Sequence, residues 1–396
     1  MMKLRTLEDL GDVRGRVGLV RVDFNVPLDG GRVADDTRIR AALPTISELR
    51  QGGARLVLMS HCGRPKGKPD PGASLESVAR HLAGLLDVSV EFIADPAGPD
   101  ASVKVDSLAP GAVAMLENLR FWPGETANDP EFARSLAELG DFYVNDAFGT
   151  AHRAHASVVG VAERFESRAA GRLLALEIQA LGGLLEAPRK PFVGIVGGAK
   201  IEGKIETLVN LMRVLDALAV GGGMANTFLA AQGFNLAQSL VEHDRLDLAH
   251  DLIEQAAALG TDLVLPSDLV VTDNLDSPRR IETVPPGAVP EKTLAVDVGP
   301  ATCAAIGDLV ANAGTVFWNG PLGVFEKPPF DTSTLTTARA LGASPAWTVI
   351  GGGETVAAAH RAGVIGMLGH VSTGGGASLE LLAGKQLPGV EILRST

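Results

Sequence analysis

The sequence predicts an α/β fold: two doubly wound, Rossmann-like parallel-sheet domains joined by a hinge helix. Short apolar, β-branched runs alternate with longer amphipathic runs from end to end. That repetition argues for parallel sheets with helices on both faces. The chain also carries 47 glycines, which in such a fold sit in turns where backbone approaches something closely. A single proline-flanked basic break, Pro188-Arg189-Lys190-Pro191, divides the pattern into two halves of similar size.

In the first half the strand candidates are Val17–Val22, Arg55–Ser60, Val88–Ile93, Ala112–Leu116 and Phe142–Asn145. In the second they are Pro191–Val196, Leu218–Val220, Asp262–Leu265, Thr315–Trp318 and Trp347–Ile350. Helical periodicity falls between them, at Thr37–Gln51, Leu75–Leu86, Glu131–Leu139, Ile205–Leu215, Arg245–Leu259 and Thr355–Arg361. The run RLLALEIQALGGLLE from Arg172 reads as a long helix interrupted at Gly182 and Gly183. The expected division is 1–171, a linking helix and hinge at 172–190, and 191–386. The Pro- and Asp-rich stretch Asp268–Pro290 reads as irregular surface.

Composition narrows the function classes. A length of 396 residues with 46% hydrophobic content suits two domains with substantial cores. The net charge of -12, without a long basic run, argues against nucleic acid as a partner. The two cysteines, Cys62 and Cys303, form neither a disulfide framework nor a metal-ligand pattern and suit a reducing compartment. No signal-peptide pattern and no run of 18 or more apolar residues is present. The expectation is a soluble, cytoplasmic, monomeric protein that leaves membranes and nucleic acid alone.

Ligands of open parallel sheets bind beyond the carboxyl ends of strands. In the first half those positions hold Asp23 and Asn25 (RVDFNVP), Arg38 in the first turn of a helix, and His61 and Arg64 (SHCGRP). They also hold Arg120 (ENLRF) and His152, Arg153 and His155 (NDAFGTAHRAHAS). One arginine alone is an ordinary solvated charge. Four at successive strand ends of an acidic chain describe a pocket for a small, strongly anionic molecule, because guanidinium matches phosphate and carboxylate in a planar fork.

In the second half the first strand runs into GGAKIEGKIETL. Gly198 to Lys204 fits the opening of a P-loop, but Ile205 stands where a magnesium-holding Ser or Thr is required. What survives is glycine after a strand, Lys200 and Lys204, and a helix N-terminus that favours phosphate. Glycine triplets at Gly221–Gly223, Gly351–Gly353 and Gly374–Gly376 each open toward a helical pattern and can present amides to an anion. WNGPLGVFE adds Asn319, Pro321 and Glu326, the last placed to meet ribose hydroxyls. This half reads as the nucleotide side.

The ordered series RVDFNVP, SHCGRP, ENLRF, NDAFGTAHRAHAS, GGAKIEGK, GGGMANTF, WNGPLGVFE, GGGET and STGGGASLE resembles the phosphoglycerate kinase family from about Val17 to Glu380. The resemblance implies reversible transfer from 1,3-bisphosphoglycerate to Mg²⁺-ADP, giving 3-phosphoglycerate and ATP in glycolysis. It assigns Asp23, Asn25, Arg38, His61, Arg64, Arg120 and Arg153 to the phosphoglycerate, flanked by His152 and His155. It assigns Gly198, Lys200 and Lys204 to the nucleotide phosphates and transferred group, Gly221 and Gly222 to the adenine pocket, and Asn319, Pro321 and Glu326 to the nucleoside. Gly352, Gly353, Thr355 and Gly375 lie in turns that supply donors near the transferred phosphoryl, and Glu354 stands at the magnesium carboxylate. The resemblance further implies that the tail 387–396 packs back on the N-terminal domain.

Two departures stand out. Cys62 replaces the family's usual hydrophobic residue, as a small buried hydrophobe or a reactive thiol, and Glu354 replaces its usual aspartate. In the reverse direction the acceptor is a carboxylate already ionised at neutral pH, so no general base is needed. Catalysis then rests on in-line positioning and charge neutralisation by Arg38, Lys200, Lys204 and the Gly352 and Gly375 turns. Two readings compete. A non-catalytic binding protein for an anionic metabolite leaves the lysines and glycine turns idle. A P-loop ATP hydrolase is opposed by Ile205.

Overall fold

The structure is a computed structural model that describes residues 3–395. The chain divides into two compact units, Met1–Gln179 with Gln386–Thr396, and Ala180–Lys385. The division falls inside the helix Arg172–Glu186, which runs unbroken through Gly182 and Gly183 rather than being interrupted there.

The first unit is built on a six-stranded sheet in the order Val90–Ile93, Val113–Leu116, Arg55–Met59, Val17–Arg21, Phe142–Asn145, Arg168–Ala170. Every pairing in it is parallel. Val17–Arg21 is buried along its whole length, as a strand covered on both faces must be, and so reads as a continuous apolar run up to Arg21. Gly18 is fixed by a close approach, because a Cβ there would lie 2.4 Å from the Phe142 ring. The core beneath is continuous, with Val20, Phe24, Ile39, Leu58 and Leu82 buried together.

The tail closes on this same unit. Leu4 pairs with Arg394, Arg5 N donates to the Leu393 carbonyl at 2.9 Å, and Gly389 N donates to Ala151 at 2.9 Å. Thr396, the end of the expected tail, lies outside the described residues, as do Met1 and Met2.

The second unit has its own six-stranded parallel sheet, ordered Asp262–Val264, Ala217–Val220, Phe192–Val196, Thr315–Asn319, Trp347–Gly351, His370–Val371. Strands are added outward on one side of Phe192–Val196 and then on the other. The crevice between Phe192–Val196 and Thr315–Asn319 is therefore the topological switch point, where ligands of such sheets bind.

The expectation of irregular surface at 268–290 is corrected. Leu269–Thr272 pairs antiparallel with both Ile281–Val284 and Leu294–Val298. The strand signal of the short LVVT run is interrupted by the turn Asp273–Arg280, whose Asn274 and Asp273 side chains accept from backbone amides at 2.8–3.1 Å. Among the described residues, no helix is long and apolar enough to cross a membrane.

Candidate functional site

In the first unit, four connections carry polar groups to the carboxyl end of the sheet. Asp23 follows the strand Val17–Arg21 and is buried; its carboxylate lies 3.5 Å from Arg38 Nη1 and 3.9 Å from His61 Nδ1. Arg38, in the first turn of Thr37–Gln51, also donates to the Asn25 carbonyl at 2.9 Å. Asn25 Oδ1 in turn accepts from Gly63 N at 2.9 Å. The Gly63 carbonyl accepts from Arg120 Nη1 at 2.9 Å, while the buried Arg120 Nε has no hydrogen-bond partner among the described residues. Arg153 Nε meets His152 Nε2 at 3.2 Å.

The electrostatics join these groups into one cluster. Burial first, and then the neighbouring Arg21, Arg120, His155 and Arg38, hold the His61 imidazole well below its usual range. His155 is pushed down to about 4 by burial and then by Arg120, Arg21, Arg153 and His152. Arg120 is lowered to about 10 by burial and then by Arg153 and Arg21. So much positive charge at one sheet end, met only in part by the Asp23 carboxylate, is costly unless an anion shares it. Arg64 projects from the same turn as Gly63 and is exposed; no hydrogen bond or ion pair joins it to the cluster among the described residues.

Sequence reasoning missed two buried members. Arg21, fully buried at the end of an otherwise apolar strand, donates through Nε to Ser157 Oγ at 2.8 Å. Ser157 Oγ donates to Glu125 Oε1 at 2.7 Å, and Ser157 N donates to Oε2 at 2.9 Å. Glu125, also fully buried, lies 3.7 Å from His155 Nδ1. A charged residue closing an apolar strand was the one available signal for Arg21. Nothing local in FWPGETAND marks Glu125 as buried.

In the second unit a cavity of about 310 Å³ opens at the switch point, lined by Gly198, Gly222, Gly223, Pro321, Glu326 and Glu354 among others. Its narrowness explains the glycines. A Cβ at Gly197 would sit 2.0 Å from the Pro321 carbonyl oxygen, and Gly222 holds φ +68° with a Cβ position 2.6 Å from the Gly198 carbonyl oxygen. Gly221 does not line this cavity; Leu322 Cδ2 packs 2.4 Å from where its Cβ would be.

Beside the cavity, Lys204 Nζ donates to the Gly197 carbonyl and lies near Gly198 and Gly320. Burial pushes it down to about 8, with Glu354 acting in the opposite direction. Burial and then the adjoining Glu326 carboxyl raise Glu354. Asn319 Nδ2 donates to the Gly351 carbonyl at 2.8 Å, and Thr355 Oγ1 accepts from Gly320 N at 2.7 Å. Gly352 precedes the helix Gly353–Arg361 at φ +93°, and Gly375 precedes Gly376–Leu382 at φ +45°. Lys200 is exposed on the turn before Ile205–Met212.

Among the described residues no three His, Cys, Asp or Glu side chains gather to hold a metal. The exposed Glu354 carboxylate, beside the Gly352 turn, nevertheless fits magnesium, which takes one or two protein carboxylates and completes its shell with phosphate oxygens and water. The Cys62 thiol is buried, 3.8 Å from the Val26 carbonyl, and is raised by burial and then by Glu117. It is a core residue.

Comparison with known proteins identifies the family. The family described as Phosphoglycerate kinase matches residues 7–385. Phosphoglycerate kinase of Moorella thermoacetica is 53% identical, covering 99% of each chain, and that of Desulforudis audaxviator is 52% identical, covering 100% of each. The solved structure of phosphoglycerate kinase from Coxiella burnetii superposes with a TM-score of 0.89 at 41% identity, and that from Pyrococcus horikoshii OT3 with 0.86 at 32%, each covering 98% of both chains. The chain belongs to the phosphoglycerate kinase family.

Proposed function

We propose that the cationic cluster of the first unit binds the phosphoglycerate and the glycine-lined cavity of the second binds ADP or ATP with Mg²⁺. The chain then moves one phosphoryl group between the terminal nucleotide oxygen and the carboxylate of 3-phosphoglycerate. The observation that carries this is the meeting of Arg38, Arg120, Arg153, His61 and His155 in one electrostatic cluster with Asp23 among them.

The roles follow from charge and position. Arg120, Arg153 and the neutral histidines donate to the substrate's anionic groups, with Arg64, His152 and Asn25 at the margin. Asp23 orients Arg38, which faces the developing charge. Lys200 and Lys204, with the amides of the Gly352 and Gly375 turns, neutralise the phosphoryl oxygens. Pro321, Gly198, Gly222 and Glu326 shape the nucleoside pocket, helped by Asn319, Gly353 and Thr355. Glu354 would hold magnesium, which would supply charge neutralisation for the nucleotide phosphates. No residue needs to act as a base, because the carboxylate acceptor arrives ionised.

Transfer requires donor and acceptor in line, and an acyl phosphate must be kept from water. We assign that motion to the segment 172–190. X-ray scattering should show a smaller radius of gyration with both substrates bound than with either alone. An acidic chain of this kind is further assigned to the cytoplasm as a monomer, with small molecules rather than nucleic acid as partners; light scattering checks the mass. The central test is a coupled assay for ATP formed from 1,3-bisphosphoglycerate and ADP. Folded protein that forms none returns the chain to a binding role.

A further inference from the structure

We propose that Arg21 is a positioning residue: its buried guanidinium fixes His61 in the tautomer that carries its proton on Nε2, so that the ring meets substrate as a neutral N–H donor. The proposal rests on the reading of His61 as a substrate contact.

The geometry supplies the argument. Arg21 is fully buried at the end of Val17–Arg21, and each side of its guanidinium has one fixed role. Nε donates to Ser157 Oγ at 2.8 Å, Nη1 donates to the Val22 carbonyl, and Nη2 lies 3.2 Å from His61 Nδ1. A guanidinium has five donors, no acceptor, and keeps its charge at any pH a protein survives. At 3.2 Å it is satisfied only if His61 Nδ1 is the bare, accepting nitrogen. A proton on Nδ1 would point N–H at N–H between two buried side chains. Among the described residues the one anionic candidate for an Nδ1–H, Asp23 Oδ1, is 3.9 Å away and beyond hydrogen-bond reach. That leaves Nε2 as the ring's donor.

The second half of the arrangement holds Arg21 where it is. A buried cation needs a counter-charge, and Arg21 reaches one through a hydroxyl: Ser157 Oγ accepts from Arg21 and passes its own proton to Glu125 at 2.7 Å. Tyr143 Oη donates to the Ser157 carbonyl at 2.9 Å, which pins the bridging residue from the adjacent strand. Glu125 neutralises Arg21 without touching it, so Nη2 stays aimed at the ring instead of being drawn into a direct ion pair. Burial favours a neutral His61 ring, and the neighbouring Arg120, His155 and Arg38 act in the same direction.

The test is a long-range ¹H–¹⁵N correlation spectrum of the full chain with labelled histidine at neutral pH, His61 being assigned by its loss in His61→Gln. One neutral form, protonated on Nε2, is expected. In Ser157→Ala and Arg21→Met the signal should move toward an average of both tautomers. The KM for 3-phosphoglycerate should rise about ten-fold, the worth of one well-aimed hydrogen bond, while the KM for ATP stays put. Ser157→Thr, which keeps the hydroxyl, should restore both readings. A wild-type His61 that is protonated on Nδ1, or is an imidazolium, overturns the proposal even if neither variant folds. So does an Arg21→Met ring that keeps the Nε2–H form. An unchanged phosphoglycerate KM in His61→Gln strikes instead at the placing of His61 against substrate.

Discussion

Asn25 Oδ1 accepts the amide proton of Gly63 at 2.9 Å, which ties the turn after the first strand to the turn after the second. Gly63 passes the connection on, since its carbonyl takes Arg120 Nη1. Asn25→Ala removes the acceptor and frees the Gly63 turn, and with it the aim of Arg120. The expected loss is about 1–2 kcal/mol of stability, with a KM for 3-phosphoglycerate raised several-fold. Urea unfolding and initial rates check the two together; a destabilised variant with an unaltered KM would separate Asn25 from substrate binding.

Arg38 sits apart from the nucleotide cavity in sequence and in sheet, so its loss should be felt on one side only. Arg38→Ala is expected to cut turnover about a hundred- to thousand-fold, the cost of removing one charge-stabilising donor. Nucleotide affinity, followed by calorimetry, should stay nearly constant. A parallel fall in both would contradict the division of labour between the two units.

Much of this was legible in the sequence, and the reason is physical. Buried parallel strands are written as unbroken apolar runs, so every strand read from the sequence lies within two residues of its structural bounds. Site residues cluster where those runs stop. What escaped was non-local. Arg168–Ala170 and His370–Val371 are too short to carry a pattern and exist because a neighbouring strand edge is waiting. Arg21 and Glu125 are buried charges whose meaning appears only when Ser157, distant in sequence, comes between them.

Asp146 gives a pH prediction. Its Oδ1 accepts from Leu173 N at 2.9 Å and Leu174 N at 3.2 Å at the start of Arg172–Glu186, while Oδ2 has no hydrogen-bond partner among the described residues. Burial pushes the carboxyl up to about 6, against the pull of Thr45 and the two amides. Since the folded value lies above the unfolded one, the folded chain binds the extra proton between about pH 4 and 6. The stabilising contribution is therefore full below that window and is lost as pH rises through it. Over that window the decline amounts to roughly 3 kcal/mol. The stability of wild type relative to Asp146→Asn, from urea unfolding, should decline from pH 4 to pH 6 and then level off; a flat or rising difference refutes it.

Cys62 should be silent. Burial and the Glu117 carboxylate both favour the protonated thiol, and Cys303 is pushed up to about 12 by burial and then by Asp297 and Asp268. Only the thiolate is nucleophilic. Iodoacetamide at pH 8 should leave both residues unlabelled in the folded chain and modify both once urea unfolds it, as read by mass spectrometry. Labelling of Cys62 in the native chain would restore the reactive alternative.

Glu354 stands where the family resemblance implies an aspartate, and its extra methylene has a structural consequence. The carboxyl reaches Glu326, and like charges so close must share a proton or repel. Lys204 pulls the other way but is itself drawn to the Gly197 carbonyl. Glu354→Asp withdraws the carboxyl from Glu326 and leaves it ionised and free for metal. Turnover at saturating magnesium should stay within about three-fold, whereas the magnesium concentration for half-maximal rate should fall roughly two- to five-fold, consistent with the removal of one weak like-charge contact. Rates measured against magnesium at fixed ADP decide the matter. A half-maximal concentration that rises shows that the longer side chain is fitted to the metal in this chain rather than tolerated by it.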